Sequence, residues 1–281
     1  MSIEEAVAGH YGRSGLAERI LATAARLAAE KTGDEGGRLA ARDLAPVDEF
    51  HIGGIDATER FLAKLDPAPG ARWLDIGSGI GGASRYAAER YGCHVTGIDL
   101  TPEFCRTADV LTAKVGMTGK VEFHIGSALA MPFADRAFDG AFTLHVGMNI
   151  EDKPALYREA KRVLKPGALF GIYDILAGPA GGPLEFPVPW ATVPGASFLA
   201  GIGDMRTMLD KAGFEVLSVE DRTGFALEFF EKLRQQAISG GLPQFGLSLI
   251  MGEDFRQKVA NMIRNVNDGR CGPWEIVCRR R

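Results

Sequence analysis

Asp75 and Asp99, with the glycines at 77, 79 and 82 between them, are the residues of this chain whose types and spacing carry the clearest chemistry. The run Trp73-Leu74-Asp75-Ile76-Gly77-Ser78-Gly79-Ile80-Gly81-Gly82 joins an apolar strand, an acid and a glycine turn. A second apolar run, Val95-Thr96-Gly97-Ile98-Asp99, ends in the second acid. Glycines at such a turn let the backbone approach a ligand, and an acid after the next strand can accept hydrogen bonds from both ribose hydroxyls. A nucleotide-like ligand at the carboxyl edge of a parallel sheet is the expectation.

Gly77-x-Gly79-x-x-Gly82 also fits the dinucleotide fingerprint of dehydrogenases. Asp75 separates the readings, because a diphosphate would meet its negative charge whereas a ligand with an ammonium group would be attracted to it. S-adenosylmethionine has an adenosine, no phosphate and a zwitterionic tail, so both acids suit it. The competing functions are an NAD(P)-dependent oxidoreductase and a non-catalytic donor-binding relative.

These motifs need a sheet and helices to hold them. From residue 72 the chain alternates strand and helix: strands at 72–76, 94–99, 121–125, 138–144 and 168–176, helices at 82–91, 102–115 and 153–164. That rhythm predicts an α/β fold, a parallel sheet with helices on both faces. Before it, Leu16, Ile20, Leu21, Ala24 and Leu27 mark an amphipathic helix, glycines 33, 36 and 37 end it, residues 44–54 read as a loop, and a helix follows from Asp56 to Lys64. After Leu176 a Gly- and Pro-rich stretch reads as loop, followed by a helix at 204–212 and a strand at 214–220. Residues 225–268 read as helical with a break near Gly240-Gly241-Leu242-Pro243, and 274–278 is the final strand.

With 32 basic and 36 acidic residues, net charge -4, the 281-residue chain lacks the basic excess that nucleic acid requires. Four scattered cysteines read as reduced thiols in a cytoplasmic protein. The amino terminus lacks the pattern of a signal peptide, no apolar run is long enough for a membrane span, and no cluster suggests a metal.

Residues 74–82, 95–100, Met131-Pro132-Phe133-Ala134-Asp135-Arg136-Ala137-Phe138-Asp139 and Arg162-Val163-Leu164-Lys165-Pro166-Gly167 together resemble the class I S-adenosylmethionine-dependent methyltransferases. The similarity is to the small-molecule branch that includes sarcosine/dimethylglycine, phosphoethanolamine and quinone-biosynthesis enzymes. His51-Ile52-Gly53-Gly54 resembles the loop before the core in amine-methylating members.

The resemblance implies a Rossmann-like, mostly parallel seven-stranded sheet with an antiparallel last strand. It implies one domain over 1–281: a helical amino-terminal cap and entrance loop at 1–70, a donor-binding core at 71–177, and a substrate-side half at 178–281 with a helical insertion about 222–272. S-adenosyl-L-methionine is the implied cofactor and a small-molecule methyl acceptor the implied partner, with a homodimer as the oligomeric expectation. By position, Asp75 and Gly77 would hold the methionine end, Gly79 would admit it and Asp99 would take the ribose. Leu100 and Leu144 would lie beside the donor, and the Ser127 and Ala128 region would recognise adenine where many relatives have an acid.

Methyl transfer from a sulfonium needs alignment, exclusion of water and management of one proton. His145, ending the fourth strand, is the candidate base. Asn149, where amine-methylating relatives often have histidine, can orient substrate but cannot be a base. Tyr11 is the candidate lid residue, and His51 either lines the entrance or caps the next helix. Pro187-Val188-Pro189-Trp190 and the apolar side chains Phe225, Leu227, Phe229 and Phe230 are candidate pocket walls, packing being the favoured role for most of the latter.

Overall fold

The computed structural model describes residues 4, 15–32, 39–240, 246, 250, 252 and 254–281. Tyr11 and the two predicted glycine breaks, at 33–37 and, beyond Gly240, at 241–243, lie outside them. Three helices precede the sheet: α1 (Leu16–Thr32), α2 (Ala41–Asp48) and α3 (Gly54–Leu65). Leu16, Ile20 and Ala24, four residues apart, are buried where α1 packs on the helix at 102–114.

The expectation of a loop over 44–54 is corrected by α2. Leu44 and Val47 are fully buried on one helical face, Asp43 accepts the Ala40 N–H at 2.9 Å, and Pro46 is accommodated near the end of a short helix. Tertiary burial here outweighs the signal of the proline.

The core consists of β1 (Arg72–Ile76), α4 (Gly82–Tyr91), β2 (His94–Asp99), α5 (Pro102–Lys114), β3 (Val121–Ile125), β4 (Phe138–Leu144), α6 (Lys153–Val163) and β5 (Leu164–Ala177). It continues through α7 (Ile202–Ala212), β6 (Phe214–Asp221), α8 (Thr223–Gly240), α9 (Phe255–Asn267) and β7 (Cys271–Arg280). The strand order is β3-β2-β1-β4-β5-β7-β6, and β7 runs antiparallel to both neighbours, as expected for the last strand. Two strands are longer than the sequence suggests. β5 starts at Leu164 and passes through Lys165-Pro166-Gly167 at a register shift against β4, while β7 extends three residues earlier and two later.

Side chains alternate between the two faces of the sheet. Trp73, Phe142, Tyr173 and Val277 join the apolar cluster under α3, α4 and α5; Leu74, Ala141, Ile172 and Ile276 join the one under α6 and α7. Gly140 is a requirement of this packing, because a Cβ there would lie 2.5 Å from the Trp73 ring. A third cluster, including Met148, Trp190, Phe230 and Met262, lies where α8, α9 and the loop after β5 meet. Chain order reverses between β1 and β4, so the crevice at their carboxyl ends is the switch point where open α/β sheets bind ligands. Among the described residues no helix is long and apolar enough to cross a membrane.

Candidate active site

β1 delivers Asp75 beside Gly97 of β2 and Phe142 of β4. The turn after β1 is fastened to β2, since Gly77 N donates to Ile98 O at 2.8 Å and Ser78 N donates to the same oxygen at 3.1 Å. Gly77 has φ +76°, and a Cβ would lie 2.3 Å from Val146, the residue after His145. Glycine here lets the loops after β1 and β4 touch. Gly79 has φ +54° with open space where a Cβ would stand, and it lines the cavity.

Asp99 organises this turn. Its Oδ2 accepts from Gly79 N and its Oδ1 from Thr101 N, both at 2.8 Å. Each carboxylate oxygen keeps further acceptor capacity. Burial raises the Asp99 pKa, and the Thr101 and Gly79 N–H groups oppose the rise. Asp75 is buried and accepts from Ser84 Oγ at 2.6 Å. Burial pushes its pKa up to about 7; the Ser84 hydrogen bond works against that, while the Asp99 and Glu49 charges reinforce it.

His145 follows β4 in the left-handed region, φ +54°, with its N–H donating to Tyr173 O at 2.7 Å. A non-glycine residue held in that conformation is uncommon and marks a position the surroundings enforce. Its ring lies 4.9 Å from the Tyr173 ring and 5.7 Å from that of His51, centroid to centroid. Nε2 is buried with no hydrogen-bond partner among the described residues. Burial, reinforced by His51, holds its pKa well below 6.5, so the ring is neutral at physiological pH.

The next turn is pinned from below by Asp174, which accepts from the N–H groups of Ile175, Met148 and Gly147. A Cβ at Gly147 would lie 2.3 Å from Asp174 Oδ2. Asn149 Nδ2 donates to Trp190 O at 2.9 Å and to Ala196 O at 3.3 Å, tying the loop after β5 over the site.

A cavity of about 790 Å³ joins these groups. Asp75, Gly77, Gly79, Asp99, Leu100, Ser127, Ala128, Leu144, His145 and Asn149 all line it, as do His51, Trp190, Phe229 and Phe230. Ser127 Oγ donates to Glu4 Oε1 and accepts from Leu129 N. Phe225 instead packs under the Arg60 guanidinium, 3.9 Å from its ring centroid, and Leu227 packs in the third cluster.

Four functional neighbours escape the sequence reading. Glu49 Oε2 accepts from Thr58 Oγ1 at 2.6 Å and from His51 Nε2 at 2.9 Å, with all three residues buried. His51 therefore lines the cavity while bonded to side chains, rather than capping the backbone of α3. Asp48 and Arg85 form a buried ion pair at 2.7 Å beneath the turn. Burial pushes the Asp48 pKa up to about 6; Arg85 holds it down and Glu49 pushes it further up.

Residues 74–172 match the family model described as "Methyltransferase domain". The chain is 35% identical over 180 residues to phosphoethanolamine N-methyltransferase 1 of Zea mays, covering 64% of this chain and 35% of that protein. It is 28% identical over 242 residues to glycine/sarcosine/dimethylglycine N-methyltransferase of Actinopolyspora halophila, covering 83% and 41% respectively. The chain thus spans less than half the length of these curated relatives.

Among solved structures, geranyl diphosphate C-methyltransferase from Streptomyces coelicolor A3(2), in complex with Mg2+, geranyl-S-thiolodiphosphate and S-adenosyl-L-homocysteine, superposes with TM-score 0.72 at 16% identity. The match covers 100% of this chain and 99% of that one. Haemonchus contortus phosphoethanolamine N-methyltransferase 2 in complex with S-adenosyl-L-methionine gives 0.70 at 19%, covering 91% and 60%. The strand order is that of the seven-stranded fold of these solved structures, and residues 74–172, which surround the switch-point cavity, are the part of the chain similar to a methyltransferase domain.

Proposed function

We propose that the chain is an S-adenosylmethionine-dependent methyltransferase acting on a nitrogen, oxygen or carbon of a small molecule. The observation that carries this is the pairing of Asp99, fastened to Gly79, with buried Asp75 in a cavity that also receives His145. The residues fit the donor: Asp99 retains acceptor capacity for ribose hydroxyls, the open face of Gly79 leaves room for close approach, and Asp75 offers charge to an ammonium group. Gly77, Leu100, Leu144, Ser127 and Ala128 line the same cavity, where Gly77 would hold the methionine end, Leu100 and Leu144 would lie beside the donor, and the Ser127 and Ala128 segment would recognise adenine. Bound S-adenosylmethionine supplies an electrophilic methyl group. The chain then has to align an acceptor, exclude water and hold one proton.

His145 Nε2 is the candidate to take that proton, being neutral, buried and without a partner among the described residues. Asn149 acts by holding the Trp190 loop across the site, and Tyr11 keeps the lid role. The His145→Ala variant is expected to lower turnover ~10²-fold with little change in affinity for S-adenosylhomocysteine. Single-turnover rates and calorimetry check this, and normal turnover would remove the histidine from the mechanism.

Asp75 predicts a pH dependence of donor binding. With its pKa at about 7 in the free protein, the carboxyl is largely protonated at pH 6 and ionised at pH 8. An ammonium-bearing ligand favours the ionised form, so affinity for S-adenosylhomocysteine rises with pH, about tenfold from pH 6 to pH 8. Asp75→Asn should flatten that profile; a steep profile in the variant would assign the dependence elsewhere.

The direct test compares melting with S-adenosylhomocysteine and with NADH, since a ligand at 100 times its Kd stabilises the native state by about 2.7 kcal/mol. Stabilisation by NADH alone would overturn this proposal in favour of the oxidoreductase. Labelled-methyl transfer to amines, phenols, quinols and carboxylates then tests catalysis against mere donor binding. The four described cysteines, buried and free of disulfides, support a cytoplasmic location.

A further inference from the structure

Resting on the methyltransferase reading above, we propose that the acceptor is an uncharged, largely apolar molecule that presents one hydroxyl to His145. Three observations on the acceptor side of the cavity carry this, each about the described residues.

The first is the apolar part of the cavity wall. Ile52, Met148, Trp190, Phe229, Phe230 and Met262 supply aliphatic, thioether and aromatic surface from five different segments. The one polar atom of the Trp190 side chain is spent, since its Nε1 donates to Ser197 Oγ at 2.9 Å. Such a wall rewards contact with apolar surface and offers a polar ligand nothing in exchange for its lost water.

The second is charge. Among the described residues lining the whole cavity there are eight carboxylates and a single cation, Arg42, which is exposed on α2. A phosphate or carboxylate needs paired donors when it leaves water, and this lining offers an anion repulsion instead. A cationic acceptor would be drawn to this lining, but Asp75 and Asp99 are committed to the donor under the methyltransferase reading. The other buried carboxylates have partners within the protein: Asp48 has Arg85, and Glu49 has His51 and Thr58. Asp99 is held by the Gly79 and Thr101 N–H groups. Glu4, Asp56, Glu151 and Asp152 are exposed at the rim.

The third observation sets the single polar point. His145 Nε2 is buried and has no partner, an arrangement that costs free energy unless a ligand completes it. A neutral imidazole nitrogen accepts from a hydroxyl in one tautomer and donates to its oxygen in the other. The acceptor that satisfies all three observations has an apolar body against the Trp190 and Phe230 wall and a hydroxyl at the end nearest the donor.

The test uses the full chain saturated with S-adenosylhomocysteine and reads binding by calorimetry rather than turnover. The probes are 2-naphthol, naphthalene, 2-naphthoate, phosphoethanolamine and dimethylglycine. 2-Naphthol is expected to bind about tenfold or more tightly than 2-naphthoate, with phosphoethanolamine and dimethylglycine weaker than either. It should also exceed naphthalene by about threefold or more, an advantage that His145→Ala abolishes. Phe229→Arg, at a half-buried wall position, should narrow the gap between the neutral and anionic probes. Equal or tighter binding of any charged probe overturns the proposal, as does failure of 2-naphthol to bind. Melting with S-adenosylhomocysteine alone reports on the methyltransferase reading, so the two can fail separately.

Discussion

Arg85→Met is expected to destabilise the chain by about 3–5 kcal/mol, the usual consequence of removing one partner from a buried ion pair. Arg85 is 1% exposed. Its Nη2 reaches Asp48 of α2 at 2.7 Å and the Ile80 carbonyl of the glycine turn at 2.8 Å. Its Nη1 reaches Thr112 of α5 at 3.0 Å. One guanidinium therefore joins a helix of the amino-terminal segment, the glycine turn after β1 and the helix after β2. In the variant, Asp48 must either stay ionised without a partner or take up a proton. Because the Asp48 pKa is about 6 even with Arg85 present, the loss should be larger at pH 8 than at pH 5.5. Urea unfolding at the two values measures it, and the double variant Arg85→Met with Asp48→Asn should recover much of the stability. A small, pH-independent loss would show that the pair carries little of the coupling described here.

Asp99→Ala carries the largest expected effect on ligand binding. Under the proposed function, removal of the ribose hydrogen bonds assigned to Asp99 should weaken affinity for S-adenosylhomocysteine by about 1.5–3 kcal/mol, or roughly 10- to 150-fold. The structure adds a second route to the same loss. Gly79 N and Thr101 N would forfeit their acceptor, and the turn that presents Gly79 would lose one of its anchors to β2. Asp99→Asn keeps one acceptor oxygen and so should fall between alanine and the native residue. Calorimetry on the three proteins decides the matter, and unchanged affinity in the alanine variant would take Asp99 out of the donor site.

The strand-turn-helix at 72–91 was legible because its signals are local: an apolar run, glycines at the turn and a helix directly after it. The same holds for Asp99, Pro102 at the start of α5, and His145 at the end of β4. Pairings between distant segments were not legible. Arg85 reads as an ordinary charged residue in a helix until α2, 37 residues earlier, supplies Asp48. Glu49 and Thr58 lie in stretches whose pattern speaks of loop and helix, and only the folding of α3 against the loop brings their oxygens together around His51. The role of Asn149 was half visible. Its position at the site is local information, whereas its bonds to Trp190 and Ala196 depend on a loop more than 40 residues away.

The position of β7 between β5 and β6 has a consequence for the order in which the molecule can assemble. During synthesis β6 emerges before the strand that connects it to the rest of the sheet, and β5 has an open edge for as long as β7 is missing. Unpaired edges are templates for the wrong partner, and non-local pairing is slow. The glycine turn and its neighbouring strands are complete by residue 125, yet the sheet that supports them closes only when residues 271–280 leave the ribosome. Nascent chains stalled before residue 271 should therefore depend on chaperones far more than chains extended past 281 by a linker, a difference that protease protection on the ribosome would register.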